Sequence, residues 1–82
     1  MIEVRYFAWL RDRIGERGET VETTAATVAD LVAELATQSE AHALAFSDTA
    51  SVRVALDQEL ADFDAPLVGV REVAFFPPMT GG

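Results

Sequence analysis

Eighty-two residues, half of them apolar, suffice for one folded domain but leave no room for a deep substrate cavity beside its core. Six arginines against fourteen Asp and Glu give a net charge of −8, which repels phosphate backbones and anionic lipid headgroups. Nucleic acid and membrane are therefore poor partners, and a basic protein surface is a better one. The chain has no cysteine and no lysine, which excludes disulfides, thiolate ligands, thiol nucleophiles and acylation of a side-chain amine. No apolar run approaches the roughly 20 residues that span a bilayer, and Met1-Ile2-Glu3-Val4-Arg5 lacks a signal peptide's layout. The expectation is a soluble, cytoplasmic protein.

Ile2 to Ala8 alternates apolar and polar side chains, so Ile2, Val4 and Tyr6 share one face of a strand. Gly15 to Gly18, with charged residues between them, mark a turn into a second strand over the β-branched stretch Thr20 to Thr24. Thr27-Val28-Ala29-Asp30 resembles a capping box with Asp in place of Glu, and Val28, Leu31, Val32 and Leu35 recur with helical spacing. This spacing predicts a helix over 28–38. Ala41 to Phe46 reads as a short helical turn. Val52, Val54 and Leu56 alternate with Arg53 and Ala55 up to a tight hairpin at Asp57-Gln58. A last strand covers Val70 to Phe76 and ends at Pro77-Pro78, because proline cannot donate a ladder hydrogen bond.

The order ββα followed by two or three strands describes an α+β two-layer sandwich: a β-grasp with a mixed sheet packed on one main helix. In that arrangement the first and last strands are central neighbours, and the chain leaves the last strand into solvent. Residues 1–76 then form the domain and 77–82 an extended tail. Alternation also places Phe7 and Phe76 on the face opposite the core, as an outward apolar patch at the base of the tail.

Conventional catalytic constellations are missing from the sequence. His42 is the only histidine and reads as a surface or helix-end residue without a role, and no phosphate loop or metal-ligand spacing is present. Glu16, Glu19 and Glu22 read as a solvated face. The ending Pro77-Pro78-Met79-Thr80-Gly81-Gly82 is different. Two prolines stiffen its base, and two glycines without Cβ atoms let the backbone approach catalytic groups in a partner's narrow channel. Use of the Gly82 carboxylate requires prior activation by ATP as an acyl adenylate, which a partner enzyme would supply.

These residues resemble the small subunit of molybdopterin synthase, the MoaD-type, ubiquitin-like sulfur carrier, over essentially the whole chain. The likeness rests on Val4-Arg5-Tyr6-Phe7-Ala8 with Arg11 to Gly15, on Phe63-Asp64-Ala65-Pro66-Leu67, and above all on Glu72 through Gly82. One departure is Val68-Gly69-Val70-Arg71, where the family often has Asp-Gly-Asp. The resemblance implies adenylation of Gly82 by a MoeB-type enzyme, conversion to a thiocarboxylate, and delivery of sulfur to cyclic pyranopterin monophosphate in the large, MoaE-type subunit of a heterotetramer. It implies a non-catalytic, sulfur-donating role that uses ATP only transiently and holds no stable cofactor or metal. Gly81 and Gly82 would carry the chemistry, while Phe7, Leu60, Phe76, Pro77, Pro78, Met79 and Thr80 would meet the partner; Leu60 enters through the resemblance alone. A sibling carrier for thiamine, cysteine or tRNA thiolation, a modifier joined to lysines, and an interaction module without tail chemistry are the competing expectations.

Overall fold

The computed structural model describes residues 1–78; Met79, Thr80, Gly81 and Gly82 lie outside the described residues. In chain order the elements are β1 (Ile2–Tyr6), α1 (Trp9–Ile14), β2 (Gly18–Val21), α2 (Val28–Ala36), α3 (Glu40–Ala45), a 3-10 turn (Thr49–Ser51), β3 (Arg53–Leu56), β4 (Glu59–Ala61) and β5 (Glu72–Phe76). The five strands form one mixed sheet in the order β2-β1-β5-β3-β4. β1 and β5 run parallel at its centre, with Val4 opposite Val73 and Tyr6 opposite Phe75, and the other pairings are antiparallel. This is the expected β-grasp.

The core lies between one sheet face and the helices. Val4, Tyr6, Val54, Val73 and Phe75 point into it from the strands, and Val28, Leu31, Val32 and Leu35 meet them as the buried stripe of α2. The cap of α2 forms as the sequence predicts, with the Thr27 hydroxyl accepting from the Asp30 N–H at 3.3 Å. Tyr6 and Phe75 stack at 6.2 Å between ring centroids, and Phe46 meets Phe75 edge-on at 5.0 Å.

β2 runs over Gly18–Val21 in place of the expected Thr20 to Thr24, and three further details differ from the sequence reading. Residues 9–14 form a helix that the sequence reading leaves out, entered from β1 through Ala8 at φ 55° and closed by Gly15 in the left-handed region. That sharp bend ends β1 at Tyr6. The last strand begins at Glu72 and not at Val70, because the Asp57 carboxylate accepts from both the Arg71 and Glu72 backbone N–H groups, at 3.0 and 2.9 Å. Asp57 and Gln58 both have positive φ, the mark of a type I′ hairpin, so this turn makes the hairpin and also clips the entry of β5. Just before the clip, Gly69 takes φ 78° and Val70 N–H closes a turn onto Leu67 O at 3.0 Å, so the displaced glycine still sits where a turn needs it.

His42 is the third correction, since it is buried and only 9% exposed. Ser39 caps α3 by accepting the His42 N–H, which leaves its own hydroxyl hydrogen for His42 Nδ1 at 2.8 Å. The ring then donates from Nε2 to Glu19 Oε2 at 2.7 Å, and Tyr6 donates its hydroxyl to the same oxygen at 2.8 Å. Glu19 thus ties β1, β2 and α3 together through one carboxylate, and burying the ring costs no unsatisfied nitrogen.

Two expectations follow. Phe75→Ala removes a fully buried ring from the central strand and lowers unfolding free energy by about 3–5 kcal/mol in denaturant titration. Burial, reinforced by the Glu19 carboxylate, pushes the Tyr6 phenol well above its ordinary range. A folded-state pKa raised above the unfolded one gives stability that is whole below the unfolded value of about 10 and is lost as pH rises past it. The chain has one tyrosine, no lysine and no cysteine, so its alkaline profile reports Tyr6 with little interference. Unfolding free energy should fall above about pH 10, by at most about 1.4 kcal/mol per pH unit, and Tyr6→Phe should flatten that limb.

Candidate functional site

The helices cover one face of the sheet, and the other is bare. Strand register arranges its outward side chains in rows. At one end Glu3 lies opposite Glu72, two like charges that would repel. Arg5, two residues along on the same face, bridges both, at 2.9 Å to Glu3 and 3.2 Å to Glu72. These exposed pairs cancel a repulsion and add little stability of their own. The next row runs Arg5, Ala74, Ala55, Leu60 across four strands. Two alanines at its middle make the floor of the face shallow.

The row nearest the tail is aromatic. Phe7 N–H donates to Phe75 O at 3.1 Å, which carries the β1–β5 pairing past the end of β1 and brings Phe7 beside Phe76. Arg53 faces Phe76 from β3. Phe7 and Phe76 line one open groove with Ala74 at its floor and Arg5, Gln58 and Glu72 around it. Phe7 is 46% exposed and Leu60 76%, whereas Phe76, Pro77 and Pro78 are half-buried. The outward patch expected from alternation is therefore present, and the structure brings Phe7 and Phe76 together with Leu60 on the same face. Of the other predicted residues, Met79, Thr80, Gly81 and Gly82 lie outside the described residues. The sequence reading missed Arg5, Gln58, Glu72 and Ala74. Alternation along β1 and β5 carries the signal for Arg5, Glu72 and Ala74, but Gln58 arrives through the hairpin turn and has none.

Side-chain chemistry elsewhere is structural. Ser39, His42 and Glu19 have the connectivity of a nucleophile-base-carboxylate triad, yet the Ser39 oxygen is engaged as a helix cap and His42 is buried under Tyr6, edge-on at 6.1 Å. Neither Ser39 nor His42 lines the groove on the sheet face. Among the described residues no cluster of three His, Cys, Asp or Glu side chains could hold a metal ion, and no helix is long and apolar enough to cross a membrane. What the arrangement offers is a surface: a shallow apolar groove at the end of a central strand whose next residues are Pro77 and Pro78.

Comparison with known proteins agrees with the fold. The ThiS family profile matches residues 4–82. The chain is 43% identical to the molybdopterin synthase sulfur carrier subunit of Escherichia coli (strain K12) and 34% identical to that of Haemophilus influenzae, each over 82 residues and the whole of both chains. Among solved structures it is similar to SAMP1 from Haloferax volcanii, with a TM-score of 0.74, 27% identity, and coverage of 99% of this chain and 98% of that one. The fold, the tail motif and these full-length likenesses together make this chain a member of the ThiS family, of the molybdopterin synthase sulfur carrier subunit type.

Proposed function

We propose that the chain carries sulfur on the Gly82 carboxylate and gives it up in the building of molybdopterin. The observation that carries this reading is the full-length 43% identity to a molybdopterin synthase sulfur carrier subunit. The apolar groove beside the strand that leads to Pro77 supports it, because a carrier must dock while its tail reaches into another protein. The Gly82 carboxylate attacks ATP in a MoeB-type enzyme and releases pyrophosphate. A persulfide sulfur then displaces AMP to give an acyl disulfide, and a thiol attacks its outer sulfur, forming a new disulfide and releasing the thiocarboxylate. The loaded tail, Pro77 through Gly82, threads into a MoaE-type large subunit with Pro77 through Thr80 against that partner, and the terminal sulfur passes to cyclic pyranopterin monophosphate. Catalytic groups belong to the partners; ATP is used in passing and is not held by this chain. We place the work in the cytoplasm and the complex as a heterotetramer, with residues 1–76 as the docking domain and 77–82 as the tail.

The likeness to SAMP1 favours one other reading, a small modifier joined through the same Gly82 to lysines of target proteins. Intact mass separates the readings. After incubation with ATP, an adenylating enzyme and a sulfur source, the carrier gains one oxygen-to-sulfur exchange, and deletion of Gly82 abolishes it. No exchange with any such enzyme, from a folded chain, would reject the carrier reading. Docking is tested separately. Leu60→Ser replaces a side chain that is 76% exposed and should shift unfolding free energy by no more than about 0.5 kcal/mol, and Phe7→Ser, at 46% exposed, should cost about 1 kcal/mol. Each should weaken calorimetric binding to the large subunit by about tenfold or more if its burial there is worth about 1.5–3 kcal/mol.

A further inference from the structure

The arginines of this acidic chain are not spread evenly. Arg5, Arg11, Arg13 and Arg17 fall within thirteen residues that contain only Asp12 and Glu16, while the rest of the chain holds Arg53 and Arg71 against twelve carboxylates. The fold sharpens this contrast. Tyr6 N–H donates to Arg17 O at 2.9 Å, which brings the loop after α1 back alongside the end of β1. Arg5, Arg11 and Arg17 thereby line one groove with Tyr6 and Phe7. Arg13 points elsewhere, with its guanidinium 5.5 Å above the Trp9 ring, and lines a different groove beside α3.

The charges in the first groove are only partly answered. Arg5 is engaged by Glu3 and Glu72, but Arg11 reaches only Asp12 on its own helix, at 3.8 Å between two exposed groups. Arg17 has no carboxylate within ion-pair distance among the described residues. Phe7 and Arg5 line both this groove and the one on the sheet face, so the cationic groove continues the apolar docking patch without a break.

We propose that the groove of Arg5, Arg11 and Arg17 seats a carboxylate-rich segment of the large subunit and fixes the orientation in which that subunit meets Phe7. This rests on the function proposed above and names a further determinant of its docking step. A macromolecular occupant fits better than a small free anion because the guanidiniums are exposed, so a single anion would gain little, whereas a protein segment already held on the Phe7 patch pays the ordering cost once. A local positive rim on a molecule of net charge −8 also favours the approach that sets an acidic segment beside Phe7, since most charged side chains on the rest of the chain are carboxylates.

The test is a titration of the purified large subunit with the full chain at about 0.1 M and about 1 M salt, between which the screening length falls from roughly 10 to roughly 3 Å. The double variant Arg11→Glu/Arg17→Glu should bind about tenfold or more weakly at the lower salt, chiefly through the association rate, and within about twofold of wild type at the higher. Arg11→Gln/Arg17→Gln should lose an intermediate amount. Arg71→Glu, the same reversal at a single arginine outside the groove, should match wild type. Equal loss in Arg71→Glu, loss that persists at high salt, or competition by millimolar inorganic phosphate would overturn the proposal. Thermal melts verify folding, and if the Glu variant does not fold the neutral variant decides. If wild type binds and Phe7→Ser weakens it while the arginine variants do not, this inference fails alone. If wild type does not bind the large subunit, the proposed docking fails and takes the inference with it.

Discussion

The parallel pairing of β1 with β5 is the constraint from which the other features follow. Antiparallel neighbours can be joined by a tight turn, but a parallel pair needs a crossover, and here everything from residue 7 to residue 71 serves as that crossover. The pairing sets Val4 against Val73 and Tyr6 against Phe75, all buried, so the centre of the sheet and the centre of the core coincide. With the helices committed to that face, the opposite face is left bare. Because the pairing continues through Phe7 N–H to Phe75 O, the two outward aromatics meet where the chain leaves the sheet. A docking patch at the base of the tail is thus a by-product of the register that builds the core.

Much of this was legible in the sequence wherever a period was long enough to read. The alternation of Ile2, Val4 and Tyr6, the stripe of α2 and the run Glu72 to Phe76 each carry their own signal, and the outward positions of Phe7 and Phe76 follow from the same alternation. α1 is not legible because it is six residues long and its N-cap is Ala8, which offers no capping side chain. Packing of Leu10, Trp9 and Ile14 on the core stabilises it, and no local propensity announces that. The start of β5 failed for a related reason: Val70 and Arg71 have strand-like side chains, but the Asp57 carboxylate takes the Arg71 N–H, and Asp57 is distant in sequence. The burial of His42 is not legible because its partners, Glu19 above all, come from another element, and a lone histidine in a sequence says nothing about what faces it.

Charge in this molecule is arranged by sheet row and by segment. The Glu3 and Glu72 pair is tolerated because Arg5 stands beside it, and Glu19 is tolerated near the core because two donors converge on one of its oxygens. Such arrangements let an acidic chain keep carboxylates close to its central strands. They also leave the bare face graded, from carboxylates at one end, through alanines, to aromatics at the end nearest the tail.

The place of β5 in the sheet also has a meaning for synthesis. A ribosome delivers β1 first and β5 after every other described element, yet β5 is the strand that joins β2-β1 to β3-β4. Until it emerges, the nascent chain holds two hairpins with no shared hydrogen-bonded strand between them, and Val4, Tyr6 and Val54 lack the neighbours that cover them. The sheet can therefore close only once Phe76 has left the ribosome, and Phe76 lies six residues before the glycine proposed to carry sulfur. A chain interrupted before that point lacks the strand that joins the two halves of the sheet, so it can neither complete the core nor set Phe76 beside Phe7.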